Sequence, residues 1–75
     1  MGFGRNPHIA KAQVAEQKAA TASDTGARVG AYREAARAWE RAAEREQPGP
    51  RREEYGRNAT RNRELADTDA GNGPS

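Results

Sequence analysis

The stretch VGAYREAARAWERAAER, residues 29–45, decides the fold class of this chain. Successive residues of an α-helix are separated by about 100°, and at this spacing seven apolar residues of the stretch gather within about 140° of the helix circumference. They are Val29, Tyr32, Ala35, Ala36, Trp39, Ala42 and Ala43. Four Arg and three Glu occupy the opposite side, so the stretch predicts an amphipathic helix.

Capping residues and prolines mark where further helices begin and end. Asn6 is a favoured N-cap, and Pro7 suits the first helical position because its missing N–H would have no partner there. Asp24 and Thr25 are both candidate caps for the second helix, and the sequence Pro-Gly-Pro at residues 48–50 ends that helix. The predicted helices cover residues 7–22, 27–46 and 50–66. Residues 1–6 are expected to form a flexible arm, and the polar, glycine-rich residues 67–75 a disordered tail.

The composition limits how large a core these helices can bury. Sixteen of the 75 residues are Ala. The larger apolar or aromatic residues beyond Met1 are Phe3, Ile9, Val14, Val29, Tyr32, Trp39, Tyr55 and Leu65. In the first helix, His8, Ala12, Ala15, Ala19 and Ala22 form a seam with heptad spacing. We therefore expect an all-α fold, either a small three-helix bundle or a helical hairpin, of marginal stability and completed by self-association or a partner.

The same composition argues against several classes of function. The chain has no Cys, a formal net charge of +2 and a mean hydropathy of −1.21, and it contains no apolar run long enough for a membrane helix. The chain has too few large side chains to enclose a catalytic pocket that excludes water. We therefore expect neither enzymatic activity, nor a cofactor, nor a small-molecule substrate. His8 is the single His and is expected at the surface or at the edge of the core. No residue cluster has metal-ligand spacing. Without an apolar secretion signal, the expected location is cytoplasmic.

The second predicted helix also resembles known interaction domains. Gly30-Ala31-Tyr32-Arg33-Glu34-Ala35, followed by Trp39, Ala42, Glu44 and Pro48, resembles one helix of a tetratricopeptide repeat and equally the second helix of MIT-type three-helix domains. Tyr55 and Ala59 of the third predicted helix are similar to a spacing found in the MIT type. Because both families bind peptides or partner helices without catalytic residues, the resemblance implies an interaction module.

Two hypotheses about function follow. In the first, the protein is a non-catalytic module that packs against another protein through an apolar helix face, as in helix-in-groove recognition. The candidate contact residues are Tyr32, Ala35, Trp39, Ala43 and Tyr55. In the second, it is an accessory protein that binds RNA or DNA through arginine-rich helix faces. The candidate contact residues are then Arg33, Arg37, Arg41, Arg45, Arg57 and Arg61. Pairing of Arg37 with Glu40 and of Arg41 with Glu44 is expected to compensate much of this charge.

Overall fold

A computed structural model describes residues 6–71, which form three α-helices. The helices are α1 (Pro7–Thr21), α2 (Thr25–Arg45) and α3 (Pro50–Gly71). Since α1 and α3 each pack against α2, the central helix of the bundle is α2. The predicted all-α fold is confirmed, and no strand occurs within residues 6–71. Residues 1–5 of the predicted arm and residues 72–75 of the predicted tail lie outside the described part of the chain.

The first two helices begin at polar caps. The Asn6 side chain accepts a hydrogen bond from the backbone N–H of His8 over 3.1 Å, so the predicted cap of α1 is confirmed. Asp24 is the cap of α2, and its carboxylate accepts from the backbone N–H of Ala27 over 2.8 Å. Capping by Asp24 leaves Thr25 inside the helix, and α2 therefore begins two residues before the predicted position.

The end of α3 differs from the prediction. The helix continues to Gly71, whereas the sequence pattern predicts an end near residue 66 and disorder from residue 67. A contact between distant parts of the chain explains the difference: Arg28 Nε of α2 donates to Asp69 Oδ2 over 2.7 Å. The hydrogen bond and the charge of Asp69 both stabilise the guanidinium and raise the pKa of Arg28. The last turns of α3 are thus held against the first turns of α2.

The core between the helices consists mainly of alanine methyl groups. Ala12, Ala15, Ala35 and Ala42 are fully buried. Of the seam predicted for α1, Ala12, Ala15 and Ala19 lie in the core, whereas His8 and Ala22 are half-buried. Trp39 is the largest side chain among the buried residues and is 5% exposed. The remaining buried apolar residues are Ala19, Val29, Ala31, Ala36, Ala59 and Ala66. Small residues at helix contacts let the helix axes approach closely, which is how so few large side chains form a bundle.

Asn6 also links the two ends of the first helical pair. Its Nδ2 donates to the carbonyl oxygen of Ala42 over 2.8 Å and to Glu46 Oε2 over 3.2 Å. The residue that caps α1 therefore also satisfies a backbone carbonyl near the end of α2, where intrahelical partners are missing. This bond fixes the N-terminus of α1 beside the C-terminus of α2.

Candidate interaction surface

A polar junction joins all three helices at the centre of the bundle. Glu16 Oε2 of α1 accepts hydrogen bonds from Trp39 Nε1 of α2 and from Asn62 Nδ2 of α3, each over 2.8 Å. Asn62 is 1% exposed, and its Nδ2 also donates to the carbonyl oxygen of Asn58 over 2.9 Å. Arg61 Nη2 approaches the same Glu16 oxygen at 3.9 Å from the solvent side. The junction thus satisfies the buried polar atoms and is a structural element of the core.

The five residues predicted to contact a partner divide into two groups. Ala35 and Trp39 are buried within the protein's own core, so neither offers an exposed surface in this fold. Tyr32, Ala43 and Tyr55 are half-buried and keep part of their surface in solvent. The ring of Tyr55 packs against Trp39 with a centroid separation of 5.5 Å and an interplanar angle of 31°. The aromatic residues therefore serve mainly to hold the bundle together.

The six arginines predicted for nucleic-acid contact are all exposed, but they lie on different surfaces. Arg37 and Arg41 line a depression between α1 and α2. Arg45 lines the concave side of the connection between α2 and α3. Arg57 and Arg61 lie on the outer face of α3 together with Glu53 and Glu64. The structure therefore brings Arg37 and Arg41 together with Lys11 of α1, and Arg45 together with Arg51 of α3.

The expected charge compensation along α2 does not occur as predicted. Arg63 of α3 forms an ion pair with Glu40, although Glu40 lines a shallow depression together with Arg37, Arg41 and Glu44. Within residues 6–71, no carboxylate oxygen lies within 4.0 Å of the charged nitrogens of Arg37 or Arg41. The prediction of Arg37–Glu40 and Arg41–Glu44 pairs was wrong because packing of α3 provides a competing partner for Glu40. Arg37 and Arg41 consequently form no ion pair within residues 6–71, although Glu40 and Glu44 lie on the same face of α2.

The depression between α1 and α2, here called the α1/α2 groove, is the strongest candidate for a binding surface. It is lined by His8, Lys11, Glu34, Arg37, Ala38 and Arg41. Ala10 and Val14 of α1 adjoin it beside Lys11 and Glu34. Its single carboxylate, Glu34, lies 3.6 Å from Lys18 Nζ. The groove therefore combines positive charge with a small apolar area.

Sequence reasoning missed this groove because it treated the two helices separately. Lys11 immediately precedes Ala12 of the alanine seam, and a residue next to a buried seam lies at the edge of the helix contact. Arg37 and Arg41 stand on the polar side of α2 and line the groove together with Ala38, which lies outside the predicted apolar arc and is half-buried. The position of Lys11 beside the seam was the available signal on α1, whereas the periodicity of α2 gave none for its two arginines.

No other described feature indicates a catalytic or metal-binding centre. Among residues 6–71, no group of three or more His, Asp or Glu side chains could hold a metal ion. His8 lies at the rim of the α1/α2 groove and is half-buried. None of the three helices described is long and apolar enough to span a bilayer.

Comparisons of the chain with protein-family models, with curated proteins and with solved structures found no match. The resemblance of α2 to tetratricopeptide-repeat and MIT-type helices therefore stays a prediction from its sequence pattern. The function has to be argued from the surface itself.

Proposed function

We propose that this protein is a small, non-catalytic interaction module that binds another protein through the α1/α2 groove. The observation that carries the proposal is the position of Val14, which is 54% exposed beside a groove lined by two helices. An apolar side chain left in water next to unpaired cations gains on being covered by a partner, since burial of apolar surface is the main favourable term in protein association.

The half-buried residues Tyr32, Ala43 and Tyr55 keep a secondary place in this proposal. Tyr55 packs against the core cluster, and Tyr32 and Ala43 are each partly covered by the fold. We assign the primary contact to the α1/α2 groove because its cations and its apolar residues are available without opening the core. A cytoplasmic location remains a prediction of the sequence, and fractionation of the cells that produce the protein would test it.

Site-specific photocrosslinking tests the proposed function. A photoreactive amino acid replaces either Val14, beside the groove, or Thr60, on the outer face of α3, and the full chain is irradiated in the cells that produce it. We expect one defined protein adduct from position 14 and none from position 60. Equal adducts from both positions, or no protein adduct from position 14, would contradict the proposal.

A nucleic-acid function is the second candidate, and the unpaired state of Arg37 and Arg41 is the observation that favours it. A protein that neutralises phosphates releases counterions, so its affinity for nucleic acid falls steeply as salt increases. Titration of the full chain with single- and double-stranded oligonucleotides at low and high salt distinguishes the candidates. Tight, salt-sensitive binding lost in Arg37→Gln/Arg41→Gln would favour nucleic acid over a protein partner.

A further inference from the structure

We infer that the partner segment bound by the α1/α2 groove is an acidic amphipathic helix. This inference rests on the proposed function and specifies the chemistry of the partner. It follows from three features of the groove, which are the state of its cations, the position of its apolar residues and the length of chain that it can accommodate.

Three cations of the groove form no ion pair with any of the residues that the structure describes. Lys11 of α1 and Arg37 and Arg41 of α2 line the same depression, and none lies within 4.0 Å of a carboxylate oxygen of residues 6–71. Glu34, the carboxylate in this lining, already lies beside Lys18. Carboxylates of a partner would therefore meet unpaired positive charge, and complementary charge of this kind favours encounter and fixes register.

The apolar residues next to these cations define the second requirement. Ala10 and Val14 are one helical turn apart on α1, and Ala38 lies across the groove on α2. Both residues of α1 are exposed, whereas Ala38 is half-buried. A partner helix with apolar residues at i, i+3 and i+4 spacing can cover this small area while its flanking carboxylates reach the cations.

The mixture of charges on α2 argues for a polypeptide over a polyphosphate. Glu34, Glu40 and Glu44 stand among the arginines of α2, and the whole chain has a net charge of only +2. The regular phosphates of a nucleic acid would meet these carboxylates as well as the cations. The spacing of carboxylates on a helix can instead be matched to individual cations. On α2 the lining of the groove extends from Glu34 to Arg41, which is two helical turns or about 10 Å and suits a segment of a few turns.

A synthetic peptide tests the inference directly. The probe is a labelled, capped helix of about four turns with Leu on one face and Glu on the flanking positions. In the two control peptides every Glu is replaced by Gln or by Lys. We expect fluorescence anisotropy to show binding of the Glu peptide that weakens with salt, and no measurable binding of the Lys peptide. Equal binding of the Glu and Gln peptides would overturn the inference.

Variants of the protein locate the binding site. Charge reversal in Arg37→Glu/Arg41→Glu should weaken binding of the Glu peptide at least about tenfold, since each reversal replaces an attraction by a repulsion. Val14→Ser should weaken binding about threefold to fivefold through loss of apolar contact. The matched controls are Arg57→Glu on α3 and Leu65→Ser at the other exposed large apolar residue. Equal losses in controls and groove variants would place the site elsewhere and overturn the inference.

The peptide experiment and the crosslinking experiment can fail separately. A protein adduct at position 14, together with no binding of the Glu peptide, would overturn the acidic-helix inference and leave the interaction module standing. Absence of a protein adduct, together with displacement of the Glu peptide by oligonucleotides, would overturn both in favour of nucleic acid. Circular dichroism of each variant shows whether the fold is retained, so that a loss of binding can be assigned to the surface.

Discussion

Trp39 Nε1 donates a 2.8 Å hydrogen bond to Glu16 Oε2, so a carboxylate of α1 fixes the largest buried side chain of α2. The same oxygen accepts from Asn62 of α3, and a single acidic side chain thereby determines how three helices meet. Because the carboxylate is still partly exposed, with a side-chain exposure of 30%, it keeps contact with solvent while its buried donors are satisfied.

Substitution of Glu16 should destabilise the bundle in a graded way. Glu16→Ala leaves the indole N–H of Trp39 without its acceptor and removes one acceptor from buried Asn62, which should cost about 1–3 kcal/mol of unfolding free energy. Glu16→Gln retains an oxygen that can accept both bonds and should cost less than Glu16→Ala. Urea unfolding followed by Trp39 fluorescence measures both values.

The control for these variants is Glu64→Ala on the exposed face of α3. It removes a carboxylate that forms no ion pair within the described residues, and its unfolding free energy should change by less than about 0.5 kcal/mol. A loss in Glu16→Ala no larger than that in the control would show that the junction does not stabilise the fold.

The alanine core should tolerate no enlargement. Ala15 is completely buried in the core between the helices. Ala15→Leu must therefore separate α1 from α2 or distort neighbouring side chains, which should lower the free energy of unfolding by about 1–3 kcal/mol or more. Ala20→Leu on the exposed side of the same helix is the matched control, since both residues have high helix propensity. Thermal unfolding by circular dichroism should therefore show a lower Tm for Ala15→Leu alone. Similar Tm values would mean that the close helix contact is absent in solution.

Two substitutions at Asn6 should separate its roles as cap and as link. Asn6→Asp keeps a cap acceptor but places negative charge against the Ala42 carbonyl and the Glu46 carboxylate, so we expect a loss of about 1–2 kcal/mol from the link alone. Asn6→Ala loses both functions and should be at least as destabilising. Both are measured by urea unfolding.

Asp24→Ala provides the reference for a cap without a link to another helix, because Asp24 bonds only to Ala27 within its own helix. Loss of such a cap typically costs about 1 kcal/mol. The loss of unfolding free energy should therefore be larger in Asn6→Ala than in Asp24→Ala. The reverse order would indicate that the bond between Asn6 and Ala42 contributes nothing in solution.

The end of α3 should depend on Asp69. Asp69→Asn weakens the ion pair with Arg28, and hydrogen exchange of the backbone amides over residues 66–71 should become about two- to fivefold faster. Asp67→Asn is the control, because it removes the same charge from an exposed residue of the same turn. Hydrogen exchange over residues 66–71 should be slower in Asp67→Asn than in Asp69→Asn. Equal exchange rates in the two variants would mean that the ion pair between Arg28 and Asp69 does not stabilise the C-terminal turns of α3.

The sequence predicts the helices well where local rules govern them. Asn6 and Pro7 identify the start of α1, and the apolar arc around Trp39 identifies the buried side of α2. The inner face of α3 carries Tyr55, Ala59, Asn62 and Ala66, which recur at helical spacing in the sequence. These features depend on capping and on helical periodicity, which are read from neighbouring residues.

Contacts between helices could not be predicted in the same way. Residues 67–75 are polar and rich in glycine, so local reasoning ends α3 near residue 66. The bond between Arg28 and Asp69, which holds the last turns of α3 against α2, depends on how the helices pack. Similarly, Glu40 has Arg37 as a neighbour in sequence but Arg63 as its partner in space. The α1/α2 groove has the same origin, since Lys11 and Arg41 become neighbours only after α1 packs on α2.

Alanine contacts affect how the axial register of the packed helices is determined. A methyl group projects too little to interlock deeply, so an interface of alanines permits sliding by a turn at small cost in dispersion energy. The alignment must then be selected by directional bonds at separate heights along the bundle. Asn6 with Ala42, Glu16 with Trp39, and Arg28 with Asp69 occupy the two ends and the middle, and together they act as pins that select one register from several nearly equivalent ones.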